Sequence, residues 1–231
     1  MLHTAGIFET PIYLAMIKDH QKWVDLAHSE LSAMEAGEHE YIMQENKKCE
    51  RLRHSLLPEN NDDNSVHHCP NRWLNRPEWE SLKEQIKEHL LEAYSKFLGS
   101  DYMDDQRVLI TDSWLNVCDS GGFQFFHNHA NSMLSWTYFM CLRPEEGHTQ
   151  LEFARPEINS RPFFATPPGG SPFLDSFVVP DVREGSMLIW PGHVSHGFRE
   201  NEADGRMSMS GNSLPSNFQY SGHTGFAFFI S

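Results

Sequence analysis

Two histidines one residue apart, His127 and His129, stand between a glycine-bearing approach (Ser120-Gly121-Gly122) and the strand-like run Leu134-Ser135-Trp136-Thr137-Tyr138-Phe139-Met140. In extended backbone, side chains two apart point to one face, separated by a rise of roughly 6.6 Å. Two imidazoles on one strand can therefore converge on a single metal ion. A third ligand would have to return from further along the chain. The stretch Glu184 to Phe198 offers it, with a glycine turn, an apolar strand (Met187-Leu188-Ile189-Trp190), a Pro191-Gly192 corner and two histidines. His193 and His196 are three apart and so face opposite sides of a strand, which lets at most one of them coordinate. His196, inside the strand with Phe198 on its own face, is the expected ligand, and His193 sits at the turn.

A third feature follows. Asn201-Glu202-Ala203-Asp204-Gly205 ends in Asp-Gly, a hairpin signal, and leads into Arg206-Met207-Ser208-Met209-Ser210. Arg206 and Ser208 then share one face of the strand after His196. A guanidinium clamps a carboxylate bidentately, and a hydroxyl two residues on adds another hydrogen bond.

The elements that position these groups are legible in outline. Gly6 to Tyr13 reads as a short strand, and from about Leu14 to Ala36 apolar residues recur at helical spacing. Pro58 to Ser65 is a polar loop. A second helix is expected from about Pro77 to Leu98, with Asn75 near its cap, a stripe of Leu82, Ile86, Leu90, Leu91, Tyr94 and Phe97, and Gly99 as its stop. Beyond Gly99, many short strand-like runs alternate with Gly/Pro turns, the mark of a sandwich or barrel-like β unit. The expectation is one domain, 1–231, of class α+β and mainly β: an N-terminal helical layer (1–100) on an antiparallel β core (101–231). The proline-rich segment Arg155 to Pro180 is expected to be a lid or substrate wall.

With 231 residues and a formal charge of -14, the chain as a whole is expected to repel nucleic acid and anionic membrane, a bulk effect that leaves a local basic patch open. No apolar run approaches the roughly 18 residues needed to cross a bilayer. The four cysteines form no CxxC pair and Met1-Leu2-His3-Thr4 has no signal-peptide character, so a cytoplasmic protein is expected. His68 beside Cys69 carries no metal-binding pattern of its own.

Taken together, Ile7-Phe8-Glu9-Thr10-Pro11, Ser113-Trp114-Leu115-Asn116, His127-x-His129, Ser135-Trp136-Thr137-Tyr138-Phe139, Pro191 to His196, and Arg206-x-Ser208-x-Ser210-x-Asn212 resemble the 2-oxoglutarate/Fe(II)-dependent oxygenases. The likeness is to a bacterial and phage branch of that superfamily, over about residues 7 to 212. It implies a double-stranded β-helix (a jelly-roll, cupin-like core), Fe(II), 2-oxoglutarate as co-substrate, molecular oxygen, and hydroxylation of a small molecule or a protein side chain with release of succinate and CO2. It further implies His127, His129 and His196 as metal ligands, Arg206 and Ser208 on the distal carboxylate of 2-oxoglutarate, and Tyr138 and Asn116 as co-substrate contacts. Phe125 and Trp136 are the expected pocket walls.

One position departs from the superfamily's pattern. His129 stands where most members carry Asp or Glu to complete a 2-His-1-carboxylate triad. Either three imidazoles bind the metal, or one of the pair does not ligate, as in the related two-histidine halogenases, or an acid such as Asp119 serves instead. The rival reading is a plain cupin, whose motifs Gly121…His127-x-His129 and Gly185…Pro191…His196 partly match. A cupin's acid would fall at Met133 or Leu134, and Arg206-x-Ser208 has no place in it. A metal-free binding protein on the same fold is the remaining alternative.

Overall fold

The computed structural model describes residues 10–35, 41–43, 52–58, 73–99, 108–154, 177–220 and 224–227. The strands are β1 (Tyr13–Met16), β2 (Tyr41–Met43), β3 (Leu52–Pro58), β4 (Val108–Cys118), β5 (Gln124–His127), β6 (Leu134–Cys141), β7 (Glu152–Ala154), β8 (Phe177–Val178), β9 (Ser186–Pro191), β10 (His196–Phe198), β11 (Arg206–Pro215), β12 (Asn217–Tyr220) and β13 (Thr224–Ala227). Two helices, α1 (His20–Glu35) and α2 (Glu80–Leu98), precede most of them.

Seven strands form one sheet in the order β1-β9-β6-β11-β4-β3-β2, four form a second in the order β5-β10-β7-β8, and β12 pairs with β13. Every pairing is antiparallel. Phe139, Leu188 and Trp190 of the larger sheet pack with Phe153 and Phe198 of the smaller one in a shared core. On its other face the larger sheet carries α1 and α2, where Trp136, Tyr138, Met140, Met207 and Met209 meet Trp23, Ala27, Trp79, Leu82, Ile86 and Leu90. A jelly roll with helices on one side is the arrangement expected from the sequence.

The helices form for the reasons their spacing suggests. Trp23, Ala27 and Glu30 of α1 are buried three and four apart, and Glu30 is paired with Arg76 and accepts from Trp79 Nε1 at 3.4 Å. Leu82, Ile86, Leu90, Ala93 and Tyr94 form the buried stripe of α2. Three local expectations are corrected. Leu14 to Met16 are not helical: they pair as edge strand β1 with β9, and α1 starts only after Asp19 turns the chain at φ 55°. Asn75 does not cap α2, because Pro77–Trp79 first makes a 3₁₀ turn and no side chain bonds the helix start. Leu91 faces solvent, 41 % exposed, rather than the stripe.

The Gly6 to Glu9 start, the 59–72 region with His68 and Cys69, the 100–107 junction, the 155–176 part of the proline-rich segment and the end beyond 227 lie outside the described residues. No helix among the described residues is long and apolar enough to cross a membrane.

Candidate metal centre

The smaller sheet delivers the histidines. His127, the last residue of β5, pairs directly with His196, the first of β10, so both side chains leave the sheet at the same height. His129 lies beyond the end of β5, in extended chain leading into a turn. The pair thus comes from a strand end and its continuation rather than from one strand interior. The ring centroids of His127 are 5.1 Å from those of His129 and 4.5 Å from those of His196, and the ligand atoms of all three histidines lie within 4.8 Å of one another.

Hydrogen bonds decide which nitrogens face the centre. His127 Nδ1 lies 2.8 Å from the Phe125 carbonyl and His196 Nδ1 lies 2.9 Å from the Val194 carbonyl. A carbonyl oxygen only accepts, so both Nδ1 atoms carry the proton. Each Nε2 of the neutral rings then holds its lone pair, the arrangement in which metal-binding imidazoles are oriented by a backbone acceptor. His129 Nε2 sits 3.3 Å from His196 Nε2. With metal–nitrogen bonds of about 2.0–2.1 Å, two adjacent ligand nitrogens on one ion are ~3 Å apart, so the spacing suits a shared ion. His129 is further fixed by stacking on Trp114, at 5.7 Å and 19°.

Burial keeps two of these rings uncharged. Desolvation, followed by the charge of His127, pushes His129 down to about 4 against the pull of Asp112. Desolvation likewise pushes His196 down to about 3. The sign of the consequence is definite. Below the ordinary histidine value near 6.5 the unfolded chain takes up protons that the folded one refuses, so this contribution is complete above about pH 6.5 and is lost as pH falls towards 4. The metal-free protein is expected to lose on the order of a few kcal/mol over that window. Thermal unfolding measured from pH 7.5 to 4.5 checks this, and a flat profile would contradict it.

The larger sheet supplies the other wall of a cleft of about 380 Å3, its open mouth included, lined by Trp114, Asn116, Gln124, Thr137, Arg206 and Ser210 among others. Arg206 and Ser208 share the inward face of β11, as their spacing required, and are 2 % and 3 % exposed. The guanidinium donates from Nε to the Thr149 carbonyl at 2.8 Å and lies 4.1 Å over the Phe198 ring. No carboxylate among the described residues pairs with it. Desolvation pushes its pKa down to about 10. A buried cation that lacks an anion and faces a cleft is a carboxylate site by its chemistry.

Asn116 is in the cleft too, donating to Ser210 Oγ at 3.2 Å, and Thr137 Oγ1 joins the same hydroxyl at 2.9 Å. Tyr138 is a correction. It lies on the opposite face of β6, in the helix-facing core, with its hydroxyl 2.7 Å from His20 Nδ1. Trp136 belongs to that core as well and, as expected, also lines the cleft, with its ring against Gly211. Phe125 is 48 % exposed and is not part of the cleft lining. The register explains it: His196 pairs with His127 but Phe198 pairs with Gln124, so a bulge in β5 puts Gln124, not Phe125, on the inner face with His127. Asp119 is not in the histidine group; its Oδ1 accepts from Gly205 N at 3.2 Å and holds the hairpin before Arg206. His193 is exposed at its turn. Trp114, two residues before Asn116, follows from the alternation of β4 once Asn116 is placed inside, whereas Gln124 is hidden by the bulge.

The donor set fits a divalent ion that accepts imidazole nitrogen, iron among them. A sequence model of the family described as "Putative 2OG-Fe(II) oxygenase" matches residues 112–212, which contain every residue named for this site. No curated protein matches the chain. Among solved structures, the non-heme alpha-ketoglutarate-dependent epimerase SnoN from nogalamycin biosynthesis is similar at 11% identity over 90% of this chain and 79% of its own, with a TM-score of 0.56. HygX from Streptomyces hygroscopicus, solved with nickel and 2-oxoglutarate bound, is 12% identical over 88% and 82%, with a TM-score of 0.54. A prolyl-4-hydroxylase from Pseudomonas putida is 12% identical over 88% and 92%, with a TM-score of 0.51. At such identities the likeness speaks for the fold, a double-stranded β-helix, and the family match adds the sequence pattern of the segment that carries the histidines and Arg206. The segment 112–212 thus carries the sequence pattern of the putative 2OG-Fe(II) oxygenases, on a fold similar to theirs.

Proposed function

We propose that the protein hydroxylates a small molecule or a protein side chain, with Fe(II) held by His127, His129 and His196 and 2-oxoglutarate anchored by Arg206 and Ser208. The observation that carries this reading is the meeting of three imidazoles and an anion-free buried guanidinium in one cleft. Bound Fe(II) supplies oxygen activation coupled to oxidative decarboxylation of 2-oxoglutarate to succinate and CO2.

The chain's own residues do the rest. The Phe125 and Val194 carbonyls hold the His127 and His196 rings with Nε2 turned to the ion. Burial keeps His129 and His196 neutral and able to ligate at neutral pH. Arg206 and Ser208, on the facing sheet, take the carboxylate furthest from the ion and so fix which end of the co-substrate meets it. Leu151, Trp190 and Phe198 line the cleft with apolar surface and limit water there. The closeness of His129 Nε2 to His196 Nε2 supports three nitrogen ligands, and so favours hydroxylation over a two-histidine halogenation.

Three neutral ligands leave the full charge of the ion uncompensated until a dianion arrives. Fe(II) is therefore expected to bind weakly alone and about tenfold or more tightly with 2-oxoglutarate present, since charge pairing in a desolvated site is strong. Anaerobic metal titration with and without 2-oxoglutarate measures this, and equal affinities would sink the three-imidazole assignment. Succinate formation from 2-oxoglutarate on addition of Fe(II) tests the reading as a whole; no turnover together with no 2-oxoglutarate binding would return the cupin-like alternative.

A further inference from the structure

His129 is the ligand with the least support from its own strand, since it stands past the end of β5. Main-chain bonds to Gly192 hold one side of its turn, and side chains hold the other. Two residues on, Asn131 donates from Nδ2 to Asp112 Oδ2 at 3.4 Å. The same oxygen receives Asn212 Nδ2 at 3.1 Å and Thr111 Oγ1 at 3.3 Å. Asn212 in turn accepts from Ser135 Oγ at 3.1 Å. Asp112, Asn212 and Ser135 are register partners on β4, β11 and β6, so a polar row crosses three strands and ends on the His129 turn.

Asp112 is 2 % exposed and takes no place in the ligand set. Burying a carboxylate is costly unless its oxygens are hydrogen-bonded. Bonds to a charged acceptor are roughly twice as strong as neutral ones, which suits it to hold an otherwise exposed turn. The next inward residue of β4, Trp114, stacks on the His129 ring itself. One strand therefore supports both the ring and the turn beneath it.

We propose that Asp112 is the positioning residue of the third imidazole: through Asn131 it holds the turn that presents His129 to the metal. This rests on the three-histidine reading above. Asp112 touches neither metal nor co-substrate, and its role is to keep His129 Nε2 within ligand distance of its partners. Asn131 is its exposed relay.

The test is metal binding by the purified, metal-free full chain, using Co(II) affinity and the nitrogen coupling in the electron paramagnetic resonance of the Cu(II)-loaded protein. Asp112→Asn and Asn131→Ala are each expected to lower Co(II) affinity about tenfold, the usual effect of losing an outer-shell support. The Cu(II) signal should fall from three coupled nitrogens to two. The double variant should be no worse than Asp112→Asn alone, because the Asn131 contact is already lost there. Unchanged affinity in both single variants, or effects that multiply in the double variant, would overturn the proposal. Should Asp112→Asn not fold, the exposed Asn131→Ala change decides alone by the same two readouts. His129→Ala separates the two levels: unchanged metal affinity there would remove His129 from the ligand set and overturn the three-histidine reading itself.

Discussion

Arg206→Met is expected to weaken 2-oxoglutarate binding by one to three orders of magnitude while raising the thermal stability of the ligand-free protein. The guanidinium is 2 % exposed, its pKa is pushed down to about 10 by desolvation, and its partners are one carbonyl and one aromatic face. A charge taken from water without a counter-charge is a standing cost, and replacing such groups with apolar side chains of similar volume is neutral or stabilising by about 1–4 kcal/mol. For a chain of this size each kcal/mol moves Tm by about 2–4 °C. Binding goes the other way. Losing one partner of a buried charge-assisted pair costs about 2–5 kcal/mol, so 2-oxoglutarate affinity should drop about 30-fold to a few thousandfold. Calorimetric titration and a melting curve on the same preparation read both quantities. Retained affinity would take Arg206 out of the site, and a lowered Tm would mean that Thr149 and Phe198 fully compensate its charge.

Gly192→Ala is the second large effect expected, and its cause is space rather than backbone conformation. A β-carbon at 192 would lie 2.3 Å from the Ser132 carbonyl oxygen and 2.8 Å from that of His129. Both neighbours are main chain and have no rotamer to yield. The same contact is closed by His129 N donating to Gly192 O at 2.8 Å and Gly192 N donating to Met133 O at 2.9 Å. Gly192 thus joins the turn bearing His129 to the corner that leads to His196. A methyl group there should force the two apart, destabilising the fold by about 1–3 kcal/mol. Metal affinity should fall about 10–100-fold, as when a ligand's support is lost. Chemical denaturation and metal titration check the two parts. Wild-type affinity in the alanine variant would show that the turn accommodates the methyl without moving His129.

What the sequence reveals of this site follows from where alternation survives. Arg206 and Ser208 were legible because β11 pairs with β4 without interruption from Arg206 to Asn212, so spacing two means one face. His127 and His196 were legible because each imidazole ends or begins a short strand beside a turn. β6 shows the limit. All eight of its residues are buried, with the sheet core on one side and the helices on the other. Hydropathy then cannot tell Ser135 and Thr137, which face inward, from Trp136 and Tyr138, which face α1 and α2. Gln124 was illegible for another reason, since a bulge changes parity and leaves no mark in composition. Leu14 to Met16 of β1 look helical in sequence because their pairing with β9 depends on partners 170 or more residues away.

The two halves of the site differ in their footing. His127 and His196 belong to a sheet whose described strands run from two to four residues, with His129 just beyond its edge, while Arg206 and Ser208 sit on a ten-residue strand between two long neighbours. On the proposed reading, a 2-oxoglutarate held through the metal by the histidines at one end and by Arg206 and Ser208 at the other would brace the short sheet against the long one. A co-substrate one methylene shorter or longer would then reach only one of the two clamps, as a caliper set to one width rejects another.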